Sequence, residues 1–371
     1  MVDGTEDALR VLPCPPSPLK MRDSTHSALY HRLRDDLIRE PRTWLVTGVA
    51  GFIGSNLLEQ LLALGQTVVG LDNFATGYRA NLDEVLSEAR TGDCRLIEGD
   101  IRDLAICRAA TDGVVFVLHH AALASVPRSI DDPIESSAVN VGGFLNVLIA
   151  ARDAGVKRVV YASSSAVYGD LTSVPQVEAR TGNSLSPYAA DKKVNELYAG
   201  VFGLTYGVET VGLRYFNIFG RRQDPAGAYA AVIPRWVSNL LNGDACSIYG
   251  DGETTRDFCH VFDVVQANLL AALAPNSAVG EVYNIGCGRE TSLNELFRMI
   301  RLGLAGYETD VASQTPVYES YRRGDVRRSV ADISKARRFL GFEPMYSVAE
   351  GLGEALEWYA ARAQETKSAV V

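Results

Sequence analysis

The chain has 371 residues, 47% of them hydrophobic, enough to bury the core of one large domain or of two unequal lobes. Its formal net charge of -9, with no long Lys/Arg block, works against nucleic acid and anionic lipid, so an anionic ligand must meet a few placed arginines. Six scattered cysteines without a Cys-x-x-Cys pair, and five histidines without His-Glu-x-x-His, point to a reduced cytoplasmic setting and no metal centre. No apolar run reaches the roughly 18 residues of a membrane span, and the N-terminus lacks the basic-then-apolar order of a signal peptide.

Residues 1–40 read as an N-terminal extension. Pro13, Pro15, Pro16 and Pro18 make 1–20 a disordered stretch, Met21 is an alternative start, and Leu29, Leu33 and Leu37 predict a short amphipathic helix within 22–40. From 41 to 215 the pattern alternates: strand 44–47, helix 52–64, strand 67–71, then strands near 95–98, 114–119 and 158–162 with helical stretches between. Such βαβ alternation predicts an α/β fold, a Rossmann-type doubly wound parallel sheet with helices on both faces. Across 216–371 the units shorten: helices near 229–241, 261–273, 292–302 and 346–360, with a Gly-Asp-Gly turn at 250–252. They predict a smaller C-terminal α/β substrate lobe, with some chain returning to the large domain.

Gly48-Val-Ala-Gly51-Phe52-Ile53-Gly54 lies between the first strand and the first helix of this alternation. Glycines there let the backbone turn tightly beneath a pyrophosphate held by the free amides of a helix N-terminus. The second strand ends in Asp72, an acid placed to bond a ribose 2′-hydroxyl and repel a 2′-phosphate, which selects NAD over NADP. Asp100-Ile101 and His119-His120-Ala121-Ala122 close the third and fourth strands, where adenine and nicotinamide ribose gather; the two histidines read as packing groups.

The fifth strand runs into Ser163-Ser164-Ser165, and Tyr188-Ala-Ala-Asp-Lys192 follows. Four-residue spacing on a helix stacks the phenol and the ammonium on one face. The ammonium favours the phenolate, and Ser164 can pass a proton between it and a sugar hydroxyl.

Gly48, Gly51, Gly54, Asp72, Asp100-Ile101, Ser164, Tyr188 and Lys192 together resemble the extended short-chain dehydrogenase/reductase family over roughly residues 42–362. Leu213-Arg-Tyr215-Phe-Asn217, the Gly-Asp-Gly-Glu-Thr-Thr-Arg256 string and Tyr321-Arg322-Arg-Gly-Asp325 narrow the resemblance to nucleotide-sugar 4-epimerases. Ala124-Ser125-Val-Pro-Arg-Ser and the string from Gly220 through Ala231 and Val232 to Pro234 resemble the branch acting on UDP-N-acetylhexosamines.

The resemblance implies catalytic Ser164, Tyr188 and Lys192. It adds Phe52, Ile53, Asn73, Phe74, Thr76, Gly77, Ala121, Ala122, Asn140 and Tyr215 to the NAD contacts. Substrate contacts fall to Ser125, Ser165, Asn217, Ala231, Val232, Arg256, Arg322, Asp325 and Ser329, with both arginines on the diphosphate. Ser329 stands at the gate beside the sugar C2 substituent, where a small residue admits an N-acetyl group; Ala124, where galactose-type relatives tend to carry lysine, frees further room.

The implied reaction is reversible, NAD-dependent C4 epimerisation of UDP-N-acetylglucosamine through a 4-keto sugar, with UDP-N-acetylglucosaminuronate or UDP-glucose as alternative substrates. Ala166 departs from a third serine common in this branch. It also lacks the carboxylate that a 4,6-dehydratase or a decarboxylase of this family carries there, so elimination has no proton handler. A net reductase is the weaker rival, and a non-catalytic dinucleotide sensor would have no use for the Ser-Tyr-Lys set. The resemblance further implies a homodimer through helices near 133–154 and 188–206, and a place in polysaccharide or O-antigen assembly.

Overall fold

The computed structural model describes residues 28–88, 91–225, 230–321 and 326–369. The expectations for 1–20 and Met21, and for Arg322 and Asp325, lie outside the described residues. In chain order the large lobe runs α1 (Ala28–Arg39), β1 (Thr43–Thr47), α2 (Phe52–Ala63), β2 (Thr67–Asp72), α3 (Arg79–Glu88), β3 (Asp93–Glu98), α4 (Leu104–Thr111) and β4 (Phe116–His119). It continues through α5 (Val126–Asp131), α6 (Pro133–Ser137), a π-helical stretch at Ala138–Gly143, α7 (Phe144–Asp153), β5 (Arg158–Ser164), α8 (Pro187–Tyr206) and β6 (Thr210–Tyr215).

Then follow β7 (Asn217–Phe219), α9 (Val232–Asn242), β8 (Ser247–Tyr249), β9 (Thr255–Arg256), β10 (Phe258–His260) and α10 (Val261–Leu273). The chain ends with β11 (Glu281–Ile285), β12 (Thr291–Ser292), α11 (Leu293–Leu304), β13 (Val317–Glu319), β14 (Arg328–Ser329), α12 (Ser334–Leu340) and α13 (Val348–Ala369).

Seven parallel strands form the main sheet in the order β11-β6-β5-β4-β1-β2-β3. Because β1 pairs with β2 on one side and β4 on the other, the winding reverses there and opens a crevice beyond their carboxyl ends. Trp44, Leu45 and Val46 are fully buried, as a strand covered by helices on both faces requires.

β11 and the apolar α10 come from the second half of the sequence yet complete the sheet and its core. The helix read within 22–40 also joins that core, through Tyr30, Leu33 and Leu37, whereas Leu29 stays exposed. The smaller lobe packs α9, α11 and α13 around Trp236, Phe297 and Leu356. Arg222, held at φ +65, ties this lobe to the large one by ion pairs to Glu59 and, at 2.9 Å, to Glu84.

One continuous helical stretch, Pro133–Asp153, does meet the length and hydropathy of a membrane span, with mean hydropathy 1.4, where the sequence reading saw none. Phe144, Val147, Leu148 and Ala151 on it are buried against the sheet, which is the packing of a core helix.

Candidate active site

β1 ends where Gly48 turns the chain at φ +70 toward α2. A Cβ on Gly48 would lie 2.7 Å from the Ala121 backbone nitrogen, and one on Gly54 only 2.0 Å from the Gly48 carbonyl oxygen. The loop therefore packs backbone on backbone, leaving a cleft of about 670 Å³ at the strand-order reversal. Gly48, Gly51, Asp72, Asn73, Thr76, Gly77, Asp100, Ile101, Ala121 and Ala122 all line it. Phe52, Ile53, Gly54, Phe74, Asn140, Tyr188, Lys192 and Tyr215 do not.

Asp72 both ties the glycine turn and faces the cleft. Its carboxylate accepts from the Ala50 and Phe74 amides, each at 2.8 Å, and it still borders the cleft. Burial raises its pKa while those amides pull it down. Asn140, expected to touch the cofactor, has its amide spent elsewhere: Oδ1 accepts from Leu123 N at 2.8 Å, and Nδ2 donates to Leu123 O, Ser136 Oγ and Asp191 Oδ2. It positions neighbouring elements.

His119 Nδ1 bonds Thr47 Oγ1 at 2.8 Å, and His120 Nε2 bonds Tyr215 OH at 2.9 Å. Burial keeps both rings neutral, pulling His120 down to about 3, so neither is a proton donor at pH 7. His120 nevertheless borders the cleft, as do Arg102 and Arg128, which the sequence reading did not single out. Arg102 is held by Asp100 at 2.7 Å and by Glu135 at 3.0 Å. An arginine within Asp100-Ile-Arg102-Asp or Val126-Pro-Arg128-Ser gives no sequence signal of its own; the cleft position supplies it.

The reacting groups meet where β5 ends and α8 begins. Ser186 caps α8 by accepting from Ala189 N at 3.1 Å, and Pro187 starts the first turn. Tyr188 donates its backbone N–H to Ser129 Oγ at 3.1 Å, and Lys192 Nζ donates to the Ala162 carbonyl at 2.8 Å, fixing the helix on α5 and on β5. Lys192 Nζ sits 5.9 Å from the centre of the Tyr188 ring.

The electrostatics differ from the simplest sequence expectation. Burial pushes the Tyr188 phenol up, a hydrogen bond with Ser164 pulls it down, and the Asp191 charge raises it. Burial also lowers Lys192 to about 8, although Asp191 and Glu196 oppose that fall. Lys192 stands off from its neighbour, and Ser164 is the direct partner of the phenol.

Asp191 itself was overlooked, though it stands inside the quoted Tyr-Lys string. It accepts from Ser136 Oγ at 2.7 Å and Ser137 Oγ at 2.6 Å, which clamps α8 to α6.

On the facing lobe, Ser329 lies opposite Arg256 in a parallel pair of β14 with β9. Ser329 is buried and its hydroxyl donates to Gln176 Oε1 at 3.2 Å. Arg256 donates to the Thr255 and Val326 carbonyls at 2.9 and 2.7 Å. Asn217 on β7 is half-buried, Ala231 caps α9 as an exposed residue and Val232 opens that helix half-buried. Ser125 spends its hydroxyl on the Arg128 amide at 3.2 Å, as the cap of α5, and Ser165 begins the short turn after β5.

Residues 44–286 match the NAD dependent epimerase/dehydratase family. The chain belongs to that family. NAD is accordingly its cofactor, and the glycine cradle is shaped for it. Its curated relatives include the UDP-glucose 4-epimerase of Mycolicibacterium smegmatis, 38% identical over 86% of this chain and 99% of the relative. The UDP-glucuronate 4-epimerase of Thermodesulfobacterium geofontis is 32% identical, over 85% and 95%. Among solved structures, the UDP-N-acetylglucosamine 4-epimerase of Methanobrevibacter ruminantium, in complex with UDP-N-acetylmuramic acid, superimposes with a TM-score of 0.79. It is 36% identical, and the match covers 87% of this chain and 99% of that one. The epimerase-family chain thus has UDP-sugar 4-epimerases as homologues, with three different sugars among these relatives.

Proposed function

We propose that this epimerase-family enzyme interconverts UDP-N-acetylglucosamine and UDP-N-acetylgalactosamine at C4. What supports the choice of sugar is Ser329, a small residue paired with Arg256 across β14 and β9, at the position that the resemblance assigns to the C2 gate. Its hydroxyl donates to Gln176 Oε1 and is thereby held in place. UDP-glucose, being smaller at C2, would enter the same space.

Bound NAD supplies reversible acceptance of hydride at the sugar C4, and the chain does the rest by placement and proton handling. Tyr188, in its phenolate form, takes the 4-hydroxyl proton directly or through Ser164, and returns it when the 4-keto sugar is reduced from the other face. Lys192, locked on Ala162, holds positive charge near the ring below about pH 8. Arg256 and Asn217 would take the diphosphate and sugar, while Arg128 lines the cofactor cleft beside Arg102, whose charge is paired with Asp100 and Glu135. Ala166 offers no acid or base, so the keto sugar has only the return path.

A homodimer fits the surface. Leu197, Val201 and Leu204 on α8 and Ile134 on the adjacent α6 leave an apolar face open, with Leu204 at 92% exposure. Gel filtration of a stable monomer would contradict it. The reaction itself is tested by incubating purified protein with UDP-N-acetylglucosamine without added NADH, beside UDP-glucose and UDP-N-acetylglucosaminuronate. Formation of UDP-N-acetylgalactosamine is expected, and its absence removes this reading.

A further inference from the structure

Away from the cofactor cleft, three side chains the reaction does not use converge at the joint between sheet and smaller lobe. Cys259 lies on β10, Asp263 in the first turn of α10, and Cys287 in the loop just after β11. Their ligand atoms all lie within 4.8 Å of one another. Cys259 and Asp263 are fully buried and Cys287 half-buried.

Asp263 accepts from Met345 N at 2.7 Å through Oδ1 and also meets the Tyr346 amide, while Oδ2 is buried without a partner of good hydrogen-bond geometry. A buried carboxylate oxygen left without a donor is costly, and the atoms around it are two sulfurs hydrogen-bonded to each other. We propose that Cys259, Cys287 and Asp263 form a site for one thiophilic divalent cation of the Zn2+ class.

The donor set suits that chemistry. Two thiolates and a carboxylate satisfy a borderline-soft ion, which takes sulfur at about 2.3 Å and carboxylate oxygen at about 2.1 Å, so tetrahedral ligands sit roughly 3.5 to 3.8 Å apart. From their present 4.8 Å limit the three atoms need to close by no more than about 1.3 Å. Cys287 provides the entry side, and the Tyr346 carbonyl, 3.8 Å from Cys287 Sγ, or a water fills the fourth position.

The Cys287 loop is held firm before any ion arrives, because Cys287 N and Gly288 N both donate to the Asp257 carboxylate, at 2.7 and 2.9 Å. Each thiol, and the share of Asp263 that burial keeps protonated, gives its proton to bulk water on binding, so at least two protons leave per ion. The site joins the strand that follows Arg256 to α10 in the sheet core, and binding there stabilises the joint between the lobes.

The test uses the reduced full-length protein and Cd2+, whose thiolate charge-transfer absorption reports sulfur ligation independently of turnover. One Cd2+ per chain with the intensity of two thiolates, displaced by Zn2+ and accompanied by a higher melting temperature, is expected. Cys287→Ser and Asp263→Asn should each weaken binding at least about tenfold. Cys259→Ser is the more buried change, so half-exposed Cys287 carries the test if that variant does not fold. No charge-transfer band in the reduced chain, or a band unchanged in Cys287→Ser, overturns the proposal.

Discussion

Lys192→Met separates the cost of the catalytic lysine from its use. The side chain is 3% exposed, and burial brings its pKa from 10.5 down to about 8. That drop corresponds to about 3 kcal/mol of charge burial at pH 7, where folded and unfolded chains both carry the proton. Methionine removes the charge but leaves the Ala162 carbonyl without its donor, which costs about 1 to 2 kcal/mol.

The variant should therefore be about 1 to 2 kcal/mol more stable than wild type at pH 7, with catalysis lost. The sign then turns over with pH. Between about 8 and 10.5 the unfolded chain binds more protons than the folded one, so wild-type stability contributed by this group rises across that window. Above it the folded amine is neutral and keeps its bond to Ala162, and the variant becomes the less stable chain. Urea unfolding midpoints of both proteins at pH 7 and 10 measure this, since other groups titrate alike in each. A variant less stable at pH 7, or a difference that does not move with pH, refutes the reasoning.

Ser164→Ala removes the hydrogen bond that lowers the Tyr188 phenol, so the phenolate forms at higher pH and the rising limb of kcat/KM should move to higher pH. An unmoved limb would leave Ser164 without that role. Gly54→Ala places a Cβ 2.0 Å from the Gly48 carbonyl oxygen, which backbone cannot yield without opening the loop; NAD retention, read by absorbance and cofactor extraction, should fall to background. Ser329→Tyr fills the space opposite Arg256 and should cut turnover of UDP-N-acetylglucosamine at least about tenfold relative to UDP-glucose. Equal loss on both sugars would show that the residue is no gate.

The parallel sheet was legible because its period is written locally: Trp44-Leu-Val and Val68-Val-Gly-Leu are short apolar runs bounded by turn residues. The glycine loop and the Tyr-Lys pair were legible for the same reason, since each places its atoms through neighbours in sequence. What stayed hidden depends on distant chain. Asn140 reads as a cleft residue, but a π-helical stretch turns its amide onto Leu123 and Asp191. Arg102 and Arg128 become cleft residues only when β3 and α5 are brought beside the Gly48 turn. Cys259 and Cys287 stand far apart in sequence and meet only because β10 and β11 flank α10, a crossing that no Cys-x-x-Cys spacing could announce.

The same burial that hides these partners shapes the chemistry of the pair. Taking Tyr188 and Lys192 out of water drives their pKa values apart, the phenol upward from 10.0 and the ammonium downward from 10.5 to about 8, because each resists carrying charge in a poorly solvated site. Asp191, clamped by two serines, favours the ammonium and disfavours the phenolate. The unliganded protein therefore rests with Tyr188 protonated and Lys192 charged at pH 7, and Ser164 alone among the phenol's partners draws it toward ionisation. Proton transfer from a sugar hydroxyl then requires further positive charge to enter the cleft, so that the base is fully formed only when the site is filled. A pH profile of the cofactor-loaded enzyme whose rising limb lay above that of Tyr188 in the empty protein would contradict this order of events.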